Sequence, residues 1–231
     1  MTELEWVRSN KLTELEQNYP WPTGAIVFDT ETTGLHPYER PNEYAKYYSD
    51  EPAYLPPDDI LQLSIISAHN GRTLFNKRLW PAHNRAWPQA EKIHGIRPID
   101  VRDAPSFYEV RDKVQEIIDG ARLIIGYNLC FDMSFLKMAG ISFDKCKWAI
   151  DVMDDFAAHY GERPEWAQDY TWQKLTKAAR LTGYDPYYWD PNLAGTGYDA
   201  HDSLNDCKAT LHVARWLEEN PKQMLQNALY Y

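Results

Sequence analysis

The chain reads as an α/β domain built on a five-stranded mixed sheet with helices on both faces. Short, β-branched apolar runs recur at Ala25–Asp29, Ile60–Ala68, Thr73–Leu79, Arg122–Gly126 and Lys147–Asp151, at strand length rather than helix length. The second and third runs are joined by His69-Asn70-Gly71-Arg72, whose Asn-Gly step is a hairpin signal. The last two alternate with helical patterns, as parallel β-α-β units do.

Taken in order, the chain opens with a stretch that places Leu4, Val7, Leu12 and Leu15 on one side, which predicts a helical extension over residues 2–18. Ala25-Ile26-Val27-Phe28 follows Pro22 and Gly24 and reads as a buried strand. Strand side chains repeat with period two, so Asp29 and Glu31 project to one face. Residues 36–59 form an insertion holding Tyr38, Tyr44, Tyr47, Tyr48 and Tyr54. After Leu123-Ile124-Ile125-Gly126-Tyr127, Asn128 is a turn residue or helix N-cap. A helix then runs from Phe131 to Met138, with Phe131, Phe135 and Met138 on one face and Asp132 in its first turn. Asp151, Asp154 and Asp155 read as helix-start charges. Gly161–Asp169 and Tyr184–Tyr198 are further insertions, the second carrying Tyr187, Tyr188 and Trp189. Ala200–Cys207 opens a long amphipathic helix marked by Leu204, Leu211, Ala214 and Leu217.

Two carboxylates on one strand face repel each other and are costly to desolvate unless cations sit between them. Oxygen-only ligands suit hard ions such as magnesium or manganese. Further carboxylates lie about 100 residues on at Asp132 and about 175 on at Asp206. His201 and Asp206 would be about 140° apart on an ideal helix. They can serve one site only if His201 stands at the helix mouth with its backbone already outside the helix.

Phe28-Asp29-Thr30-Glu31-Thr32-Thr33-Gly34-Leu35, Asn128-Leu129-Cys130-Phe131-Asp132 and His201-Asp202-Ser203-Leu204-Asn205-Asp206 resemble the three motifs of the DEDDh 3′-to-5′ exonucleases. Ile93-His94-Gly95-Ile96 is similar to a segment that these enzymes carry between the first two motifs. The resemblance spans about residues 24–218 and implies a ribonuclease H-like fold. It also implies hydrolysis of nucleic acid from a free 3′-hydroxyl to nucleoside 5′-monophosphates, with DNA the favoured substrate. An exoribonuclease, or a proofreading subunit acting mainly through a polymerase, are the alternatives. By the resemblance, Asp29, Glu31, Asp132 and Asp206 hold two divalent cations, Mg2+ or Mn2+, and His201 is the general base. Thr32, Thr33 and Leu35 line the terminal nucleotide, through backbone N–H groups and an apolar wedge. Asn128, Phe131 and His94 complete the substrate contacts.

Composition predicts one domain over residues 1–231, without low-complexity tract or repeat. Cys130, Cys146 and Cys207 share no metal-ligand spacing and read as reduced thiols. With no signal peptide or transmembrane run, the expectation is a cytoplasmic protein that does not engage membranes. The net charge of −10 argues against nonspecific binding to long duplexes. It suits a partner engaged through a few terminal nucleotides, a single strand or a frayed 3′ end, with insertion aromatics either stacking on bases or packing onto the domain. The chain ends soon after the last helix, which lowers the expectation of polymerase association. A homodimer is compatible with the sequence.

Overall fold

The computed structural model describes residues 21, 23–48, 50–164, 166, 168–185 and 200–221. The expected helix over 2–18 and the aromatics Tyr187, Tyr188 and Trp189 lie outside these residues.

Strand β1 (Ala25–Thr32) occupies the centre of the five-stranded sheet. On one side it pairs antiparallel with β4 (Ile60–Ser67), and β4 pairs antiparallel with β5 (Thr73–Arg78). On the other it pairs parallel with β6 (Leu123–Gly126), and β6 with β7 (Trp148–Asp151). The order is thus β5-β4-β1-β6-β7. The remaining strands, β2 (Arg40–Pro41) and β3 (Tyr54–Leu55), form a separate small hairpin inside the 36–59 insertion. The helices are α1 (Pro88–His94), α2 (Pro98–Val101), α3 (Phe107–Gly120), α4 (Leu129–Met138), α5 (Val152–Tyr160), α6 (Leu175–Leu181) and α7 (Ser203–Glu219).

Alternation along β1 sorts its side chains between two cores. Ile26 and Phe28 pack with Ile65 and Ile124 beneath Val114 and Ile118 of α3 and Phe135 and Leu136 of α4. Ala25 and Val27 pack with Ile66 and Ile125 beneath Phe156 of α5, Ala178 of α6 and Leu211 and Ala214 of α7. Helices therefore cover both faces, as parallel β-α-β connections require. Local chemistry starts and stops them. The Glu109 carboxylate accepts from the Ser106 backbone N–H at 2.7 Å at the start of α3, and Gly95 and Gly161 close α1 and α5 in left-handed geometry. No helix among the described residues is long and apolar enough to cross a membrane.

Two details depart from expectation, and a third bears on a choice that the sequence left open. β1 runs on through Thr30-Glu31-Thr32, because β4 continues to pair with it there. The buried residues of α4 are Leu129, Asp132, Phe135 and Leu136, whereas Met138 is exposed. Met138 lies about 120° round the helix from Asp132, so the face it shares with Phe131 is not the one turned to the sheet. The tyrosines at 38, 44, 47, 48 and 54 are 54 to 72% exposed rather than packed onto the domain.

Candidate functional site

Parallel pairing of β1 with β6 ends at Val27 opposite Ile125. Beyond that point the Thr30 backbone N–H has no strand partner on that side. It donates instead to Asp132 Oδ1 at 2.9 Å, and the Thr30 hydroxyl donates to the same oxygen at 2.6 Å. Two bonds thereby lock a carboxylate from α4 onto β1. The start of α4 is in turn held by Asp151, whose carboxylate accepts the backbone N–H groups of Asn128 (2.9 Å), Leu129 (2.8 Å) and Met153 (3.0 Å). One side chain thus satisfies orphan donors at the N-termini of both α4 and α5. Asn128 occupies the N-cap position with a left-handed φ of 62°, but its own side chain caps nothing. Gly126 lets this turn close tightly, since a Cβ there would lie 2.7 Å from Leu129 Cδ1.

The odd-numbered parity that directs Ala25 and Val27 towards α7 carries on to Asp29 and Glu31. Asp206 sits in the first turn of α7, nearly buried. Asp202 is the extended N-cap residue of α7 and accepts from the N–H groups of Leu204 and Asn205. His201 precedes it with a left-handed φ of 67°, outside the helix. Its ring can therefore turn back over Asp206, which a helical His201 could not do. Donor atoms of Glu31, His201 and Asp206 lie within 4.8 Å of one another. Two cross-links hold this mouth to β4: Ser64 Oγ to Ser203 Oγ at 2.7 Å, and Gln62 Nε2 to Asp202 Oδ2 at 3.0 Å.

Packing four carboxylates together carries an electrostatic cost. Burial, then the charges of Asp206, Asp132 and Asp202, push the Glu31 carboxyl up to about 9. Burial, followed by Asp132, Asp206 and Glu31, raises Asp29 far above the usual carboxylate range. Asp132 is pushed up to about 7, again chiefly by burial, with its two Thr30 bonds pulling the other way. All the charges acting on Asp29 and Glu31 are acidic. A donor set of hard, crowded oxygens whose repulsion a divalent cation would relieve fits magnesium or manganese chemistry.

Beside Glu31 opens a cleft of about 640 Å³, lined by Thr32, Thr33, Leu35, Trp87, His94 and Phe131 among others. Leu35 projects into it, 72% exposed. The Thr33 amide is not free for a ligand, because it donates to Asp59 O at 2.9 Å and the Thr33 hydroxyl accepts from Asp59 N at 2.8 Å. Thr33 thus contributes wall, not a backbone donor, and the Thr32 hydroxyl is spent on Gly34 O. His94 Nδ1 accepts from Ile96 N–H, which leaves Nε2–H to donate to Thr32 O. Both of its nitrogens are committed, and burial first of all lowers its pKa. Only the ring itself is left to face the cleft. Asn128 does not line it.

Sequence reasoning missed Asp59 and Trp87, and it read Asp151 as a helix-start charge, which it is for α5, without its second role at α4. The Asp59 carboxylate accepts the N–H groups of Ala82, His83 and Asn84, and Trp87 Nε1 donates to Ile96 O at 2.7 Å. Together they tie the Ala82–Ile96 roof of the cleft to the end of β1. No local motif marks such long-range anchors. For Asp151 a signal existed, an acidic residue at a strand-to-helix junction, but nothing in the sequence showed that it also caps α4.

Residues 26–214 match the model of the RNase T exonuclease family. The DNA polymerase III epsilon subunit of Pasteurella multocida is 32% identical over 117 residues, 50% of this chain and 41% of that protein. The epsilon subunit of Escherichia coli is 31% identical over 116 residues, 49% of this chain and 42% of that protein. The chain therefore spans less than half the length of these curated relatives. Among solved structures, Exonuclease I of Methylocaldum szegediense superposes with a TM-score of 0.56 at 19% identity, covering 86% of this chain and 41% of that one. A 3′-exonuclease solved with a histone mRNA stem-loop reaches a TM-score of 0.53 at 16% identity, covering 85% and 82%. These two likenesses concern the fold, which is that of ribonuclease H-like exonucleases.

Proposed function

The chain belongs to the RNase T exonuclease family, in its DEDDh branch, and from that premise we propose that it is a metal-dependent 3′-to-5′ exonuclease releasing nucleoside 5′-monophosphates. The observation that carries this reading is the convergence of Asp29, Glu31, Asp132, Asp206 and His201 at one end of β1, beside a cleft of nucleotide scale. A single exonuclease domain accounts for these elements.

In this reading Asp29, Glu31, Asp132 and Asp206 would hold the divalent cations, with Asp132 fixed in place by its two bonds from Thr30. Bound cations of this kind acidify water and stabilise both the entering and the leaving oxygens of an in-line displacement at phosphorus. His201, exposed at the helix mouth and within 4.8 Å of Glu31 and Asp206, accepts the proton of the attacking water at a ring nitrogen. Its left-handed backbone and the Asp202 cap orient the ring. Leu35 wedges against the terminal base, and Phe131 and the His94 ring wall the pocket for the terminal nucleotide. The exposed tyrosines of the β2-β3 insertion offer stacking faces to bases further along a single strand.

DNA is taken as the substrate because the epsilon relatives are named as subunits of a DNA polymerase, and Mg2+ or Mn2+ as the ion because the donor set is all oxygen. Digestion of matched 5′-labelled DNA and RNA, single- and double-stranded, with Mg2+ or Mn2+ tests this directly. The expected result is a ladder that shortens from the 3′ end, fastest on single-stranded DNA. Preference for RNA would reassign the substrate, and no hydrolysis of any strand would overturn the proposal.

A further inference from the structure

The site is strongly acidic, yet its substrate would be a polyanion, so a cation must meet the phosphates that are not being cut. The sheet register supplies one. Glu31 on β1 lies opposite Gln62 on β4, and Gln62 lies opposite Arg78 on β5. The three residues form one cross-strand row, two strand spacings wide, or roughly 10 Å. They also share a face. Gln62 and Ser64 both bond to Asn76 Oδ1, at 3.3 and 3.1 Å, and Ser64 reaches Ser203 of α7. Arg78, two residues beyond Asn76, projects to this same α7 side. The charge of Arg78 acts on His94, which lines the cleft, and this puts the arginine in the neighbourhood of the cleft.

The charge of Arg78 is also unspent. The side chain is exposed and makes no ion pair or hydrogen bond among the described residues. Its acidic neighbour Asp100 already accepts three bonds from Arg97, one from the backbone N–H at 2.9 Å and two from the guanidinium at 3.0 and 2.8 Å. The cleft's own arginine, Arg40, is directed at Asp58, 3.5 Å away.

Resting on the exonuclease reading above, we propose that Arg78 is a substrate-binding residue that clamps the phosphate of a neighbouring nucleotide as the strand enters over β4 and β5. A guanidinium presents a planar fork of donors that matches phosphate oxygens in two-point contact, which an ammonium cannot reproduce. The position at the edge of the sheet leaves it free to swing towards the strand. The clamp acts on the part of the substrate that is retained, so it governs binding of chains rather than the chemistry at the last bond.

Three proteins, the native chain, Arg78→Ala and Arg78→Lys, are compared on a single-stranded decanucleotide and on the p-nitrophenyl ester of thymidine 5′-monophosphate. The ester carries the scissile phosphate alone. Arg78→Ala should raise KM for the decanucleotide about tenfold with little change in kcat, and that loss should exceed any loss on the ester several-fold. Arg78→Lys should recover only part of it. The dependence of log KM on log salt should become shallower by about 0.7, the value of one phosphate contact on a single strand. Melting curves confirm that the variants are folded. Unchanged KM and salt slope on the decanucleotide, or an equal loss on both substrates, would overturn the assignment of Arg78. Failure of the native protein to cleave either substrate would instead overturn the exonuclease reading, and the clamp with it.

Discussion

Glu31 and Asp29 are ionised at a cost in the protein without metal, and the sign of that cost is testable. A carboxyl raised on folding binds more protons folded than unfolded between its two values. Glu31 therefore lowers stability progressively as pH rises from about 4.5 to about 9. Glu31→Gln should raise the melting temperature of the metal-free protein at about pH 8 by several degrees and have little effect near pH 4. Added Mg2+ should stabilise the native protein more than the variant. A melting difference that did not vary with pH would show that Glu31 carries no such burden. His201 poses a different question, because it stands outside α7 and caps nothing. His201→Ala should cost about 10²–10⁴-fold in turnover, the usual worth of a positioned proton acceptor. The acidic limb of the rate profile should flatten in the variant. A lower melting temperature with an unaltered profile would assign the residue to structure.

At the scale of elements, the junctions between strands and helices carry the site. Asp151 serves two helices at once, so Asp151→Ala should release donors at both and cost about 1–3 kcal/mol of stability. Asp132 would then drift from Thr30, and activity should fall further than stability alone explains. Asp151→Asn, which keeps one acceptor oxygen, should restore part of both. Retention of full activity by the alanine variant would separate the α4 N-terminus from catalysis. The β2-β3 insertion behaves in the opposite way. Because Tyr44, Tyr47 and Tyr48 are exposed, their joint replacement by alanine should shift stability by no more than about 0.5 kcal/mol per position. A large fall in melting temperature would mean that they pack the loop after all.

For the whole molecule, the prediction concerns polarity. In the exonuclease reading, Leu35 at the wall of the cleft beside Glu31 wedges against a terminal base, so a free strand end is required. A 3′-phosphate should block degradation, and a covalently closed single-stranded circle should resist it. Rapid cutting of the circle would indicate an endonuclease. Calcium should bind yet support little turnover, since its looser and larger coordination misplaces the reacting oxygens.

With the Asn-Gly step marking the hairpin at Asn70-Gly71, apolar patterning was enough to locate the five main strands and the long helix that became α7, because it is a local consequence of burying one face. It also put Asp29 and Glu31 on a common face, and motif spacing nominated Asp132, Asp206 and His201. The tertiary structure decided what those residues meet. That β6 stops short of β1, and so frees the Thr30 N–H for Asp132, depends on where two strands end in space. That His201 leaves the helix, that Thr33 spends its amide on Asp59, and that Glu31, Gln62 and Arg78 form one row are likewise facts of register and closure. Such contacts join residues tens to hundreds of positions apart. Their geometry arises only when the sheet has assembled, so no local pattern in the chain encodes them.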